Sequence, residues 1–157
     1  MSDFKGPYQK WISGCIGKEL SVVKGLIYVF DAPDFNHPQQ LQLVFGEGGE
    51  IAKFRCGSNG SRLEISYSPL KEKELGEYGK EVIIDLSGFP MFINCIGKIL
   101  LKACLIYSLM EDDCVGIKLL FEGDYGLLIM NVGDEINVLD CFSLSYEQEE
   151  GLEYYEL

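Results

Sequence analysis

The sequence predicts an α+β fold of two tandem copies of one small unit, each a helix followed by an antiparallel β-meander, related by a pseudo-twofold axis. Two observations carry this reading: an internal repeat, and the same succession of helix, strand and turn signals in each copy. Cys15-Ile16-Gly17-Lys18-x-Leu20 matches Cys95-Ile96-Gly97-Lys98-x-Leu100 at five of six positions. Leu26-Ile27-Tyr28 then pairs with Leu105-Ile106-Tyr107, and Leu41 to Phe45 with Ile117 to Phe121. The offset falls from 80 to 79 to 76, so length differences sit between the matched segments.

Each copy opens on a proline ahead of a short apolar run, Pro7 before Tyr8 to Ile16 and Pro90 before Met91 to Ile96, closed by Gly-Lys. Proline at the first turn and glycine just past the last are helix start and stop signals. Leu20 to Phe30 and Ile99 to Met110 are rich in β-branched and aromatic residues and predict long strands. Leu41, Leu43 and Phe45, like Ile117, Leu119 and Phe121, recur at period two and mark one buried face. Gly46-Glu47-Gly48-Gly49 and Glu122-Gly123-Asp124-Tyr125-Gly126 turn the chain into Ile51 to Cys56 and Leu127 to Val132. Asn59-Gly60 is a hairpin signal leading into Arg62 to Tyr67, and Glu135 to Leu139 takes that place in the second copy. The expected organisation is a first repeat over 1–67, a connecting loop and extra strand (Val82 to Leu86) over 68–86, a second repeat over 87–145 and an acidic tail over 146–157.

The chain has 157 residues, 47% of them hydrophobic, enough for a core without metal or disulfide staples. Its N-terminal residues show no basic stretch leading into an apolar one, and the greasiest run is too short to span a bilayer, which takes ~20 residues. A soluble, cytoplasmic chain is expected. Its six cysteines, with no C-x-x-C pair, are then reduced structural thiols.

Catalytic motifs fail on inspection. Gly17-Lys18 and Gly97-Lys98 lack the upstream glycine and the following hydroxyl of a phosphate loop. Gly46-Glu47-Gly48-Gly49 lies between strands, where a dinucleotide fingerprint needs a strand followed by a helix. His37, the single histidine, sits in Asn36-His37-Pro38 and reads as an exposed loop residue. Glu111-Asp112-Asp113 lacks the alternating ligand order of a calcium loop. No cofactor and no metal site are expected, and no catalytic residues are assigned.

Charge is the one strongly asymmetric property. The net charge is −12; residues 1–108 carry 12 acids and 12 bases, whereas 109–157 carry 13 acids against Lys118 alone. Such a field repels nucleic acid and speeds capture of basic surfaces. Tyrosines among carboxylates suit an interface. The candidate partner-binding residues are Glu111, Asp112, Asp113, Asp124, Asp134, Glu135, Asp140, Glu147, Glu149, Glu150, Glu153, Tyr154 and Tyr155.

A small, acidic, motif-free chain with that face resembles bacterial toxin-immunity proteins, which neutralise a cognate toxin, often a nuclease. The resemblance implies a non-enzymatic inhibitor binding a basic protein, with neither nucleic acid nor membrane as a direct partner. The alternative is a regulatory ligand-binding module with its site between the two repeats. A third reading, an enzyme using carboxylates with Tyr28 or Tyr107, has no convergent set behind it.

Overall fold

The computed structural model describes residues 5–47, 51–140 and 144–157. Met1 to Phe4, the Gly48-Gly49 part of the first hairpin turn and Cys141 lie outside the described residues.

The fold is β-rich, with 50% of residues in strands and 15% in helices, which overturns the α+β expectation. Three short helices are described: α1 (Gly6–Ser13), α2 (Pro90–Ile93) and α3 (Leu144–Glu150). The proline-led segments are real helix starts, but eight and four residues make two turns and one, too little to cover a sheet. α1 instead plugs Tyr8, Trp11 and Ile12 into the core.

The first sheet contains β1 (Leu20–Phe30), β2 (Ala32–Pro33), β3 (Gln40–Phe45), β4 (Ala52–Cys56), β5 (Leu63–Ser66), β6 (Lys73–Glu74) and β7 (Lys80–Asp85). The second contains β8 (Leu100–Ser108), β9 (Asp113–Phe121), β10 (Tyr125–Val132), β11 (Glu135–Leu139) and β12 (Leu152–Glu156). Their orders are β5-β4-β3-β1-β7-β6, with β2 on β1, and β11-β10-β9-β8-β12. Neither is a simple meander. In each, the last long strand returns to pair antiparallel with the first, so β7 flanks β1 and β12 flanks β8. The segment read as an extra strand and the segment read as a tail thus hold corresponding places.

The matched Cys-Ile-Gly-Lys segments join the sheets by reciprocal hydrogen bonds. Gly17 N–H donates to Leu100 O (2.9 Å) and Gly97 N–H to Leu20 O (2.8 Å); Leu20 N–H donates to Lys98 O and Leu100 N–H to Lys18 O. Both glycines have positive φ, 85° and 80°, as residues just past a helical turn require. Pairing partners correct the repeat alignment in one place. Leu26 faces Gln40 and Ile106 faces Gly116, so Leu26 corresponds to Ile106, not Leu105, and the offset of 80 persists that far.

A continuous apolar core lies between the sheets, with Trp11 edge-on to Phe45 (5.8 Å) and Phe54 (5.2 Å). A smaller cluster, Ile106, Val115, Leu128 and Met130, occupies the opposite face of the second sheet, with Leu152 of β12 packed on it. No helix among the described residues is long and apolar enough to cross a membrane.

Candidate functional site

The thirteen residues selected on charge fall in three places. The largest group gathers where the β8–β9 hairpin meets α3 and β12. Backbone bonds from Leu109 N–H to Gly151 O (3.1 Å) and from Met110 N–H to Glu150 O (3.2 Å) tie the hairpin tip to the C-terminal segment. Ser108 Oγ, buried, lies 3.1 Å from the Glu150 carbonyl and accepts Glu111 N–H at 3.1 Å. Glu111 and Glu150 are thereby brought together, and with burial their charges push the Tyr146 phenol up.

Within this group, some acids are already engaged. Asp113 is 8% exposed and accepts from Arg62 Nε (3.0 Å) and Asn59 Nδ2 (2.7 Å), an ion pair between β9 and the turn before β5. Asp112, at φ 53°, accepts the Tyr107 hydroxyl, which pushes that phenol up to about 12. Tyr154 donates to Glu147 Oε1 (2.5 Å), Tyr155 to Glu153 Oε2 (2.6 Å), and Lys118 Nζ lies 5.7 Å from the Tyr154 ring centre. Glu111, Glu147, Glu149, Glu150 and Glu153 form no ion pair among the described residues. Beside them Leu109 and Met110 are 59% and 69% exposed.

Asp134 and Glu135 sit elsewhere, lining a cleft of about 570 Å³ between the sheets. His37 bridges this cleft, its Nδ1 3.6 Å from Asp34 and its Nε2 3.5 Å from Glu135 of the second sheet. The expected exposed loop histidine is thus a half-buried link between the halves. Arg55 pairs with Glu64 (3.3 Å) on the wall, and the Gln40 Oε1 atom is buried with no hydrogen-bond partner among the described residues. Burial, aided by the Asp134 and Glu135 charges, pushes the Cys56 thiol up to about 11, so it is protonated near neutrality and a poor nucleophile. Asp124 and Asp140 line a second hollow, of about 700 Å³, with Met91 and Tyr125.

Asp124 and Asp134 also have a backbone reason to be where they are. Gly123-Asp124 and Gly133-Asp134 each place two successive residues at positive φ in a tight hairpin turn. Aspartate tolerates that region better than most side chains. Beyond Asp134 and Glu135, the cleft was not legible in the sequence because its residues come from segments spread between 34 and 136, and no spacing links them. Among the described residues, no group of three or more histidine, cysteine or carboxylate side chains is arranged to hold a metal ion. Comparison with protein-family models, curated proteins and solved structures finds no match.

Proposed function

We propose that this chain is a non-enzymatic inhibitor of the immunity-protein type, which binds a basic protein partner through the acidic end of its second sheet. The observation that carries the reading is the meeting of Glu111 and Glu150 at the hairpin tip with exposed Leu109 and Met110, with Glu147, Glu149 and Glu153 on the same C-terminal segment; none of the five has an ion pair among the described residues. Exposed apolar side chains next to carboxylates without ion pairs suit a surface that is steered by charge and then buried. Asp112 and Asp113 support the geometry of this surface, and Asp124 and Asp140 lie outside it. A nuclease toxin is one partner whose nucleic-acid site would offer the matching charge.

The test is capture from the native cell extract at low salt with the chain and with a Glu149→Lys, Glu150→Lys, Glu153→Lys variant. The expected result is a basic protein retained by the first and lost by the second, with association slowed and less salt-dependent. An unchanged captured set sinks the reading.

The inter-sheet cleft favours a second reading, a regulatory module that binds a small ligand. Its lining comes from both halves, as that reading requires, and includes Gln40, whose buried Oε1 has no partner among the described residues. A metabolite that raises Tm, with the effect lost in Arg55→Ala, would support it.

A further inference from the structure

The two corresponding last strands differ at their outer edges. In the first sheet, Leu86 N–H donates to Val23 O, so even-numbered residues of β7 bond to β1 and odd-numbered ones face outward. That outer side is closed: β6 pairs Lys73 with Glu81, and Glu72 Oε2 accepts Ile83 N–H at 2.9 Å. In the second sheet, Leu109 N–H donates to Gly151 O and Leu157 N–H to Ala103 O, so Leu152, Tyr154 and Glu156 aim their amides and carbonyls away from β8. Ile83 pairs with Leu26 and Tyr154 with Ile106, which makes Tyr154 the counterpart of Ile83. Among the described residues no strand pairs with the outer side of β12.

We propose that the outer edge of β12 is a strand-addition site for an extended basic segment of the partner; this rests on the basic-partner reading and specifies how that partner is held. An edge with unpaired backbone groups templates another strand. Charge selects which strand. Residues 144–157 hold five glutamates and no lysine or arginine, and the cations beside them, Lys5, Lys102 and Lys118, are engaged by the Tyr155 ring, Glu156 and the Tyr154 ring. A second copy would set glutamates against glutamates, whereas a strand with arginine or lysine at alternate positions meets Glu153 on one face of the sheet or Glu156 on the other.

The experiment titrates the full chain with a short peptide alternating arginine and valine, and with the same peptide N-methylated at alternate residues. Methylation keeps the charge and removes the strand's donors. The expected result is exchange protection of the Leu152, Tyr154 and Glu156 amides by the plain peptide, and binding at least about tenfold weaker for the methylated one. Tyr154→Pro, which removes the side chain together with an outward-facing donor, should lose the plain peptide, while Tyr154→Ala, which removes the side chain alone, keeps it. Equal binding of both peptides, mapped to α3 and Glu111, overturns the edge site and leaves the acidic-surface reading standing. If neither peptide protects those amides, the edge site also fails, and the charge-reversal capture judges the reading beneath it. Self-association that Tyr154→Pro abolishes would make a second copy the occupant and overturn the proposal.

Discussion

Phe45 ends β3 and Phe121 ends β9, and their rings lie 6.3 Å apart with planes 10° from parallel, so corresponding residues of the two sheets meet in the centre of the core. Both are 2% exposed. Phe121→Ala removes an aromatic face that the remaining side chains cannot refill, at a cost of ~3–5 kcal/mol. Trp11, the single tryptophan, packs edge-on against Phe45 and reports the loss directly. Denaturant titration followed by its fluorescence should show an earlier midpoint; a midpoint within error of the parent would mean that the sheets do not share this core.

Gly116 is needed for a close approach. A Cβ there would sit 2.0 Å from Met130 Sδ and 2.7 Å from Ile129 O on the neighbouring strand. Gly116→Ala should destabilise by ~2–4 kcal/mol, the range of an overpacked core site with backbone involvement. Adding Met130→Ala relieves only the flexible side chain, so rescue should be partial. Full rescue in thermal melts would show that the backbone contact does not matter.

Two arginines make similar ion pairs in different settings. Arg62 holds Asp113, whose side chain is 10% exposed, whereas both Arg55 and Glu64 are partly in solvent. Removing Arg62 leaves a nearly buried carboxylate with Asn59 and a backbone amide as its donors. With allowance for the exposed arginine end, Arg62→Ala should cost ~1–3 kcal/mol and Arg55→Ala under about 1 kcal/mol. Equal losses in parallel denaturation curves would contradict the difference in burial.

The repeat was legible because the Cys-Ile-Gly-Lys segments do the same job twice, each turning a helical end into the reciprocal bonds across the centre. The fold class was not, because Pro7 and Pro90 mark where a helix starts and say nothing of how soon it stops. The last strand was hidden by its charge. In Leu152-Glu153-Tyr154-Tyr155-Glu156-Leu157, Leu152 packs on one face of the sheet and Tyr155 and Leu157 on the other, a period-two pattern masked by the glutamates. Of the candidate residues, Glu111 and Glu150 meet at Ser108, whereas Asp134 and Glu135 line the cleft and Asp124 and Asp140 another hollow. The cleft around His37 depends on how the sheets face one another, and sequence spacing carries no trace of that.

Alkaline stability should follow the buried acids that stay neutral. Burial pushes the Tyr8 phenol well above 10.0, and its hydroxyl donates to Leu63 O at 2.6 Å. Burial likewise pushes the Cys114 thiol from 9.0 up to about 12. A group whose folded pKa is raised contributes stability fully below its unfolded pKa and loses it as pH rises towards the folded value. Stability should therefore be flat near pH 7 and fall from about pH 9 for Cys114 and about pH 10 for Tyr8, by ~1.4 kcal/mol per pH unit for each group. Tyr8→Phe should cost ~1 kcal/mol at neutral pH through the lost hydrogen bond and make the alkaline fall shallower. An unchanged slope would mean that Tyr8 ionises in the folded chain.

The C-terminal segment separates a solubilising tail from a structural strand. β12 pairs with β8 from Leu152↔Ser108 to Glu156↔Cys104, and Tyr155 stands edge-on to Tyr107 with ring centres 6.3 Å apart. Deleting residues 151–157 strips the outer hydrogen bonds from β8 and uncovers Leu105 on one face and Ile106 on the other. The loss should be at least ~3 kcal/mol, or roughly 10 °C in Tm for a chain of this size. Substituting Glu147, Glu149 and Glu150 together by glutamine removes three charges while keeping β12, and should leave Tm within about 2 °C because no ion pair is broken. If the deletion melts like the parent, β12 contributes nothing to the sheet. If the glutamine variant melts as early as the deletion, the acids themselves support the fold and are not held in reserve for a partner.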